Sequence, residues 1–290
     1  MRKWLDVYLS ELAKTDSKVR LLIADVGSFP RFTKEHPDKF INVGVSESNC
    51  IGIAAGLSYE GLRVFVYGVS SFFLYRAYEQ LKYSVAYWKR NITFIGVGFG
   101  WKYFNIGAGH FCPDDISLVR ALPFFQIETP YKLSQLQSII KKEVRSPRYI
   151  RLTANILPEE TEIDFIPTDT VVVTYGEMVK TCVLLTNSFF AETGCRIGLY
   201  ALDNLNDETI TTILPQLKGK KVIVIEDHII QGGLSALLCE KCVAVTRSIN
   251  LPTYPDKIAS SRIELLKSYG FDETALFNQL NHVQTNARKL

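Results

Sequence analysis

The stretch "INVGVSESNCIGIAAGLSYEG", residues 41–61, reads as a strand that breaks into a helix. From Ser46 onward, Ile51, Ile53, Ala54, Ala55 and Leu57 leave the helix almost no polar face, and a helix apolar all round is a buried one. A strand feeding straight into a buried helix is the unit of an α/β protein. At the start of this helix stands an acid, Glu47. One reading is capping: Ser46 suits an N-cap, and an acid in the first turn is favoured by the helix dipole. The other is that the carboxylate points into a closed site and exchanges a proton with a ligand. The stretch alone leaves both open.

The same alternation runs outward in both directions. Candidate strands are 20–25, 40–44, 63–68, 92–98, 124–129 and 148–153, with helices at 46–59, 72–88, 114–121 and 131–144. Strands apolar on both faces with helices between them predict a mainly parallel sheet covered on both sides. The segment 154–170, "ANILPEETEIDFIPTDT", has acids, Pro and Thr without a helical period, and marks a linker. A second alternation follows, with strands at 170–176, 195–202, 220–227 and 243–249 and helices at 177–193, 207–217 and 232–242. The expectation is two doubly wound α/β domains, 1–155 and 170–290, joined by 156–169.

Composition sets limits. The chain has 290 residues, 47% hydrophobic and 22% charged, with a net charge of +3. Lys and Arg are scattered, which argues against nucleic acid as a partner. No apolar run reaches the roughly 18 residues that span a bilayer. The start "MRKWLDVYLSELAK" is an amphipathic helix (Trp4, Leu5, Tyr8, Leu9, Leu12) and not a signal peptide. Of six cysteines, only Cys239 and Cys242 form a C-x-x-C. A zinc site wants four ligands, so neither a structural metal nor redox work is expected there. A reducing, cytoplasmic location is expected.

Further constellations lie where strands end. Phe72, Phe73, Tyr75 and Tyr78 crowd the junction after strand 63–68, and ligands of parallel α/β sheets sit outside the carboxyl ends of strands. His110 lies in the Gly-rich "GAGHFCPDD" (107–115). Arg148 and Arg151 frame the last strand of the first half. Arginine suits phosphate, but equally a neighbouring carboxylate.

In this order, "FINVGVSESNCIGIAAGLSYEG", "FVYGVSSFFLYRAYEQL", "GAGHFCPDDISLVRALP" and "PRYIRL" resemble the pyrimidine-binding domain of transketolases and of the related 1-deoxyxylulose-5-phosphate synthases. "YGEMVKTCVLL" and "VIEDHIIQGGLSALL" resemble the family's C-terminal domain. The resemblance implies thiamine diphosphate as cofactor, with Glu47 exchanging a proton at N1′ of its aminopyrimidine. It implies that Phe73 stacks on that ring, that Arg76 stands where the synthases have an arginine, and that Val26 props the cofactor with Asp25 beside it. It places His110 over the substrate, and Ser28 and Arg151 at the substrate, Arg151 on its phosphate. Ser70, Ile106 and Ala154 depart from the family pattern.

Full-length relatives carry a G-D-G and a later asparagine that bind diphosphate through Mg²⁺, and no G-D-G occurs here. The resemblance therefore implies one subunit of a split enzyme. An N-terminal transketolase-like partner would supply the magnesium ligands in an α2β2 assembly built on a homodimer of this chain. The implied activity is transfer of a two-carbon ketol unit between sugars or sugar phosphates. A 2-oxoacid dehydrogenase beta subunit and a non-catalytic assembly subunit are the alternatives.

Overall fold

The strands buried on both faces take the middle of their sheets. All seven residues of β3 (Arg63–Val69) and all six of β7 (Thr170–Tyr175) are buried. The computed structural model describes residues 1–163, 168–255 and 259–285, so 164–167 of the expected linker lie outside the described residues. The first sheet adds β1 (Val19–Ile23), β2 (Phe40–Asn42), β4 (Ile92–Val97), β5 (Gln126–Glu128) and β6 (Arg148–Arg151) in the order β2-β1-β3-β4-β6-β5. The second adds β8 (Gly198–Leu202), β9 (Lys221–Ile225) and β10 (Val245–Ile249) in the order β10-β9-β7-β8. Every strand pair is parallel. The α/β class with parallel sheets is therefore as the residue pattern predicts.

Side chains alternate faces along a strand, and the core follows that alternation. Leu21, Ile23, Phe65, Tyr67, Ile95 and Ile150 pack under the helices Arg2–Thr15 and Leu133–Lys141. Leu22, Val64, Val66, Phe94 and Tyr149 face the helices Glu47–Tyr59, Ser70–Arg76 and Asp115–Arg120. That second cluster continues without a break into the other sheet through Val171, Val173, Tyr200 and Val224. The far face of the second sheet packs on Val179–Thr193 and Glu273–Thr285, and it also takes Trp101 and Phe111 from the loop after β4. Among the described residues no helix is long and apolar enough to cross a membrane.

Two kinds of bond join the sheets. The edge strand β5 meets residues 203–205 through Thr129 N–H to Asp203 O at 2.6 Å and Leu205 N–H to Ile127 O at 2.9 Å. Deeper in, Arg151 leaves the end of β6 and is 1% exposed. Its Nε donates to Asp115 at 2.9 Å, while Nη1 and Nη2 donate to the Asp227 carboxylate at 2.5 Å and its carbonyl at 3.0 Å. The guanidinium also lies 3.9 Å over the Phe99 ring. The expectation that Arg151 holds a substrate phosphate is thus corrected: its charge is taken up by two buried carboxylates between the sheets. Beside it Glu177 pairs with Lys102 at 3.0 Å and with Arg262 at 3.7 Å. Burial alone would raise the Glu177 carboxyl, but Lys102 and Arg262 hold it down at about 2.

The helix expected over 72–88 is in three pieces. It breaks at Ala77 (φ −123°, ψ 25°), resumes at Tyr78–Gln80 and widens into a π-helical turn over Leu81–Ala86. The Arg76 carbonyl, released by the break, accepts from Ser48 Oγ at 3.2 Å.

Removing one partner of a buried ion pair strands the others without compensation. Arg151→Ala should therefore destabilise the chain by about 3–5 kcal/mol in urea denaturation. A loss below about 1 kcal/mol would show that the pair is not what holds the sheets together.

Candidate functional site

The connections after β1, β2, β3 and β4 bring the candidate residues to the carboxyl edge of the first sheet. β2 lies on one side of β1 and β3 on the other, so the strand order reverses there, where parallel α/β sheets bind ligands. The loop after β1 is shaped by backbone demands. Asp25 adopts φ +53°, and its N–H donates to Asn42 Oδ1 at 3.0 Å, which also accepts from Gly44 N–H at 3.0 Å. Gly27 (φ +86°) lies so close to Tyr67 that a Cβ would stand 2.6 Å from the ring. Asp25 thus ties two loops together through Asn42, with Val26 half-buried and Ser28 exposed beside it.

Glu47 is the first residue of the buried helix, and its side chain is 12% exposed. The capping reading fails for Ser46, whose hydroxyl donates to Val43 O at 3.1 Å and makes no cap bond. Cys50, in the same helix, is 2% exposed, and burial, with the Glu47 charge as the lesser cause, pushes its thiol up to about 12. One oxygen of Glu47 lies 3.4 Å from Arg76 Nη1.

Arg76 lies 4.2 Å over the Phe72 ring, and Phe72 meets His110 edge-on at 5.0 Å between centroids. The structure therefore brings Glu47, Arg76, Phe72 and His110 into one chain of contacts. Phe73, expected to stack on a ligand ring, does not join it. It is 3% exposed and packs on Phe94 and Tyr149 in the core. Ser70 is also buried, bonded to the Tyr149 hydroxyl at 2.9 Å. The ring that faces the site is Phe72.

His110 rides on a loop stapled at its base. Gly100 and Cys112 exchange two backbone hydrogen bonds of 2.8 and 3.0 Å. Gly98 (φ +76°) admits the Tyr103 ring where a Cβ would clash at 2.3 Å. The tip, Gly107–Gly109, is exposed, as is Ile106 at 56%. The Tyr75 hydroxyl donates a short hydrogen bond to Asp114 and so ties this loop to the helix that carries Phe72 and Arg76.

One cation at this edge is missing from the sequence-based candidates. Arg2 opens the first helix and lies beside the Tyr67 hydroxyl. Burial pushes that phenol up to about 12 against the opposing pull of Arg2. The helix precedes β1 and packs against its sheet, which brings its start to the carboxyl edge. The basic "MRK" is the available signal, but it reads as any exposed helix start.

Comparison with known proteins identifies the family and the fold. The family described as "Transketolase, pyrimidine binding domain" matches residues 1–159. An apulose-4-phosphate transketolase subunit of Phocaeicola vulgatus is 27% identical over 295 residues, covering 95% of this chain and 94% of that protein. The putative transketolase C-terminal section of Methanocaldococcus jannaschii is 29% identical, covering 97% of this chain and 95% of that protein. A solved structure described as "Split gene transketolase, inactive beta4 tetramer" superposes with a TM-score of 0.81 at 26% identity, covering 98% of each chain.

A single hydrogen bond is worth about 1 kcal/mol net. Tyr75→Phe should therefore speed hydrogen exchange of the 107–111 amides by about 5-fold and leave the β3 amides unchanged. Equal rates in the two proteins would show that Tyr75 does not hold the loop.

Proposed function

The chain belongs to the transketolase pyrimidine-binding family, and from that premise we propose that it is the cofactor-activating subunit of a split, thiamine diphosphate-dependent transketolase. The observation that carries this reading is the placement of Glu47. It is a nearly enclosed carboxylate at the strand-order reversal, with a guanidinium, a flat ring and an imidazole in sequence beside it.

The residues fit one half of that cofactor. Glu47 offers a carboxyl to a heterocyclic nitrogen, and Phe72 with Arg76 offers a flat flank to an aromatic ring. Among the described residues no group of three or more His, Cys, Asp or Glu side chains is placed to hold a metal ion. The edge is also open: Val45 is 74% exposed, and Asp25, Ser28, Ser48 and Asn49 are exposed. A second polypeptide that brings magnesium and diphosphate contacts, in an α2β2 assembly, would close it.

Thiamine diphosphate, when bound, supplies the nucleophilic carbon for ketol transfer. Glu47 holds and returns a proton at ring nitrogen N1′. Its pairing with the half-exposed Arg76 is long enough to be given up to a ligand. Val26 and Phe72 exclude water from the ring. His110 moves a proton at the substrate oxygen as the two-carbon unit is passed from one sugar to another. With Arg151 sequestered, Arg2, exposed beside Tyr67, offers a cation to an anionic end of the substrate.

Two substitutions in the chain assembled with its partner test this. Glu47→Gln should lower kcat by about 10²–10⁴-fold; turnover at the full rate would remove Glu47 from the chemistry. Arg2→Ala should raise KM for phosphorylated sugars about 10-fold or more with kcat little changed. An equal effect on unphosphorylated sugars would show that Arg2 does not read the phosphate.

A further inference from the structure

The helix Leu234–Glu240 closes in a Schellman motif. Val243 N–H donates to Leu238 O at 3.0 Å, and Cys242 N–H donates to Cys239 O at 3.0 Å. Position 242 is the residue just past the cap of that motif, and its φ is +62°. Glycine normally stands there, because a β-carbon resists the left-handed region. This chain holds a cysteine instead, three residues after another. Both are exposed.

The hydrogen bond from residue 242 back to 239 closes a turn, and a turn of that kind brings its end Cα atoms within roughly 7 Å. A disulfide spans Cα separations of about 4.4–6.8 Å. The remaining thiols are less exposed: Cys50, Cys112 and Cys182 are buried and Cys195 is half-buried. Burial pushes Cys50 and Cys182 up to about 12, so their thiolates are scarce near neutral pH. No third ligand side chain joins the pair among the described residues, which leaves it to thiol chemistry.

We infer that Cys239 and Cys242 form a redox-active dithiol site, which reacts with a small-molecule disulfide of the glutathione type and closes an intrachain disulfide. One cysteine thiolate attacks a sulfur of the oxidant. The S–S bond breaks, a mixed disulfide forms and one small thiol leaves. The second cysteine attacks the protein sulfur of that mixed disulfide, forms the Cys239–Cys242 bond and expels the second small thiol. The protein loses two electrons and two protons, and the oxidant gains them as two thiols. The bond would brace the far end of a helix whose first N–H groups, Leu234 and Ser235, donate to Glu226 at 2.8 and 3.1 Å. Glu226 adjoins Asp227, the partner of Arg151. The inference stands independently of the proposed transketolase activity.

The full chain is incubated with oxidised glutathione, alkylated, digested after Lys241 and mapped by mass. In the expected result Cys239 and Cys242 lose alkylation together. Their peptides are joined with loss of two hydrogens, and dithiothreitol restores both. Cys239→Ser should instead carry a stable glutathione adduct on Cys242. Cys242→Gly, which suits the left-handed backbone, should fold with an equal or higher thermal midpoint and carry the adduct on Cys239. Persistent glutathione adducts on both cysteines of the unaltered chain, or full alkylation of both under excess oxidant, would overturn the inference.

Discussion

The arrangement rests on one guanidinium between two carboxylates. Arg151, Asp115 and Asp227 are each about 1% exposed or less, and burying any of these charges alone would cost several kcal/mol. Together they compensate one another, and their directions fix more than their energy does. Arg151 ends a strand of the first sheet, Asp227 follows a strand of the second, and Asp115 begins the helix directly after the His110 loop. One set of hydrogen bonds therefore holds both sheets by their carboxyl edges and anchors the loop that carries the imidazole. The Tyr149 hydroxyl, at 2.8 Å from Asp115, adds a neutral donor to the same carboxylate.

Around that anchor the site is assembled from short-range constraints. Gly27 and Gly98 each let a tyrosine ring approach where a side chain would clash. Asn42 and Ser48 each bind a backbone group from a neighbouring loop. These contacts leave the Glu47 carboxylate little exposed but lightly held, with one long contact to Arg76. A carboxylate locked in a short bidentate pair would have nothing to offer a ligand. Arg76 lies over Phe72 one turn back on the same helix, as i, i+4 neighbours do, and the break at Ala77 frees the Arg76 carbonyl for Ser48.

The strands are legible because burial on both faces writes itself as unbroken Val, Ile, Leu and Phe. Glu47 and His110 stand out because an acid on an apolar helix and a histidine among glycines have no packing reason. Other features carry no local mark. Phe72 and Phe73 are adjacent, and only the phase of a seven-residue helix decides which one enters the core. An arginine at the end of a strand looks the same whether it faces a cleft or another sheet, and the acids that claim Arg151 lie 36 and 76 residues away in sequence. The break at Ala77 has no Pro or Gly to announce it. The helices Arg262–Ser268 and Glu273–Thr285 lie beyond the last expected strand and extend the pattern, their apolar residues recurring at helical spacing.

The apolar cluster that runs unbroken from one sheet to the other has a mechanical consequence. Many cleft proteins admit ligands by a hinge between lobes, which needs a polar seam that can part and re-wet. Here the seam between the sheets is greasy, and ion pairs rivet it at its dry end. Opening it would strip water-avoiding surface and uncouple buried charges at once. Movement at this edge is therefore left to smaller parts, such as the glycine-tipped loop after β4 that Tyr75 tethers through Asp114.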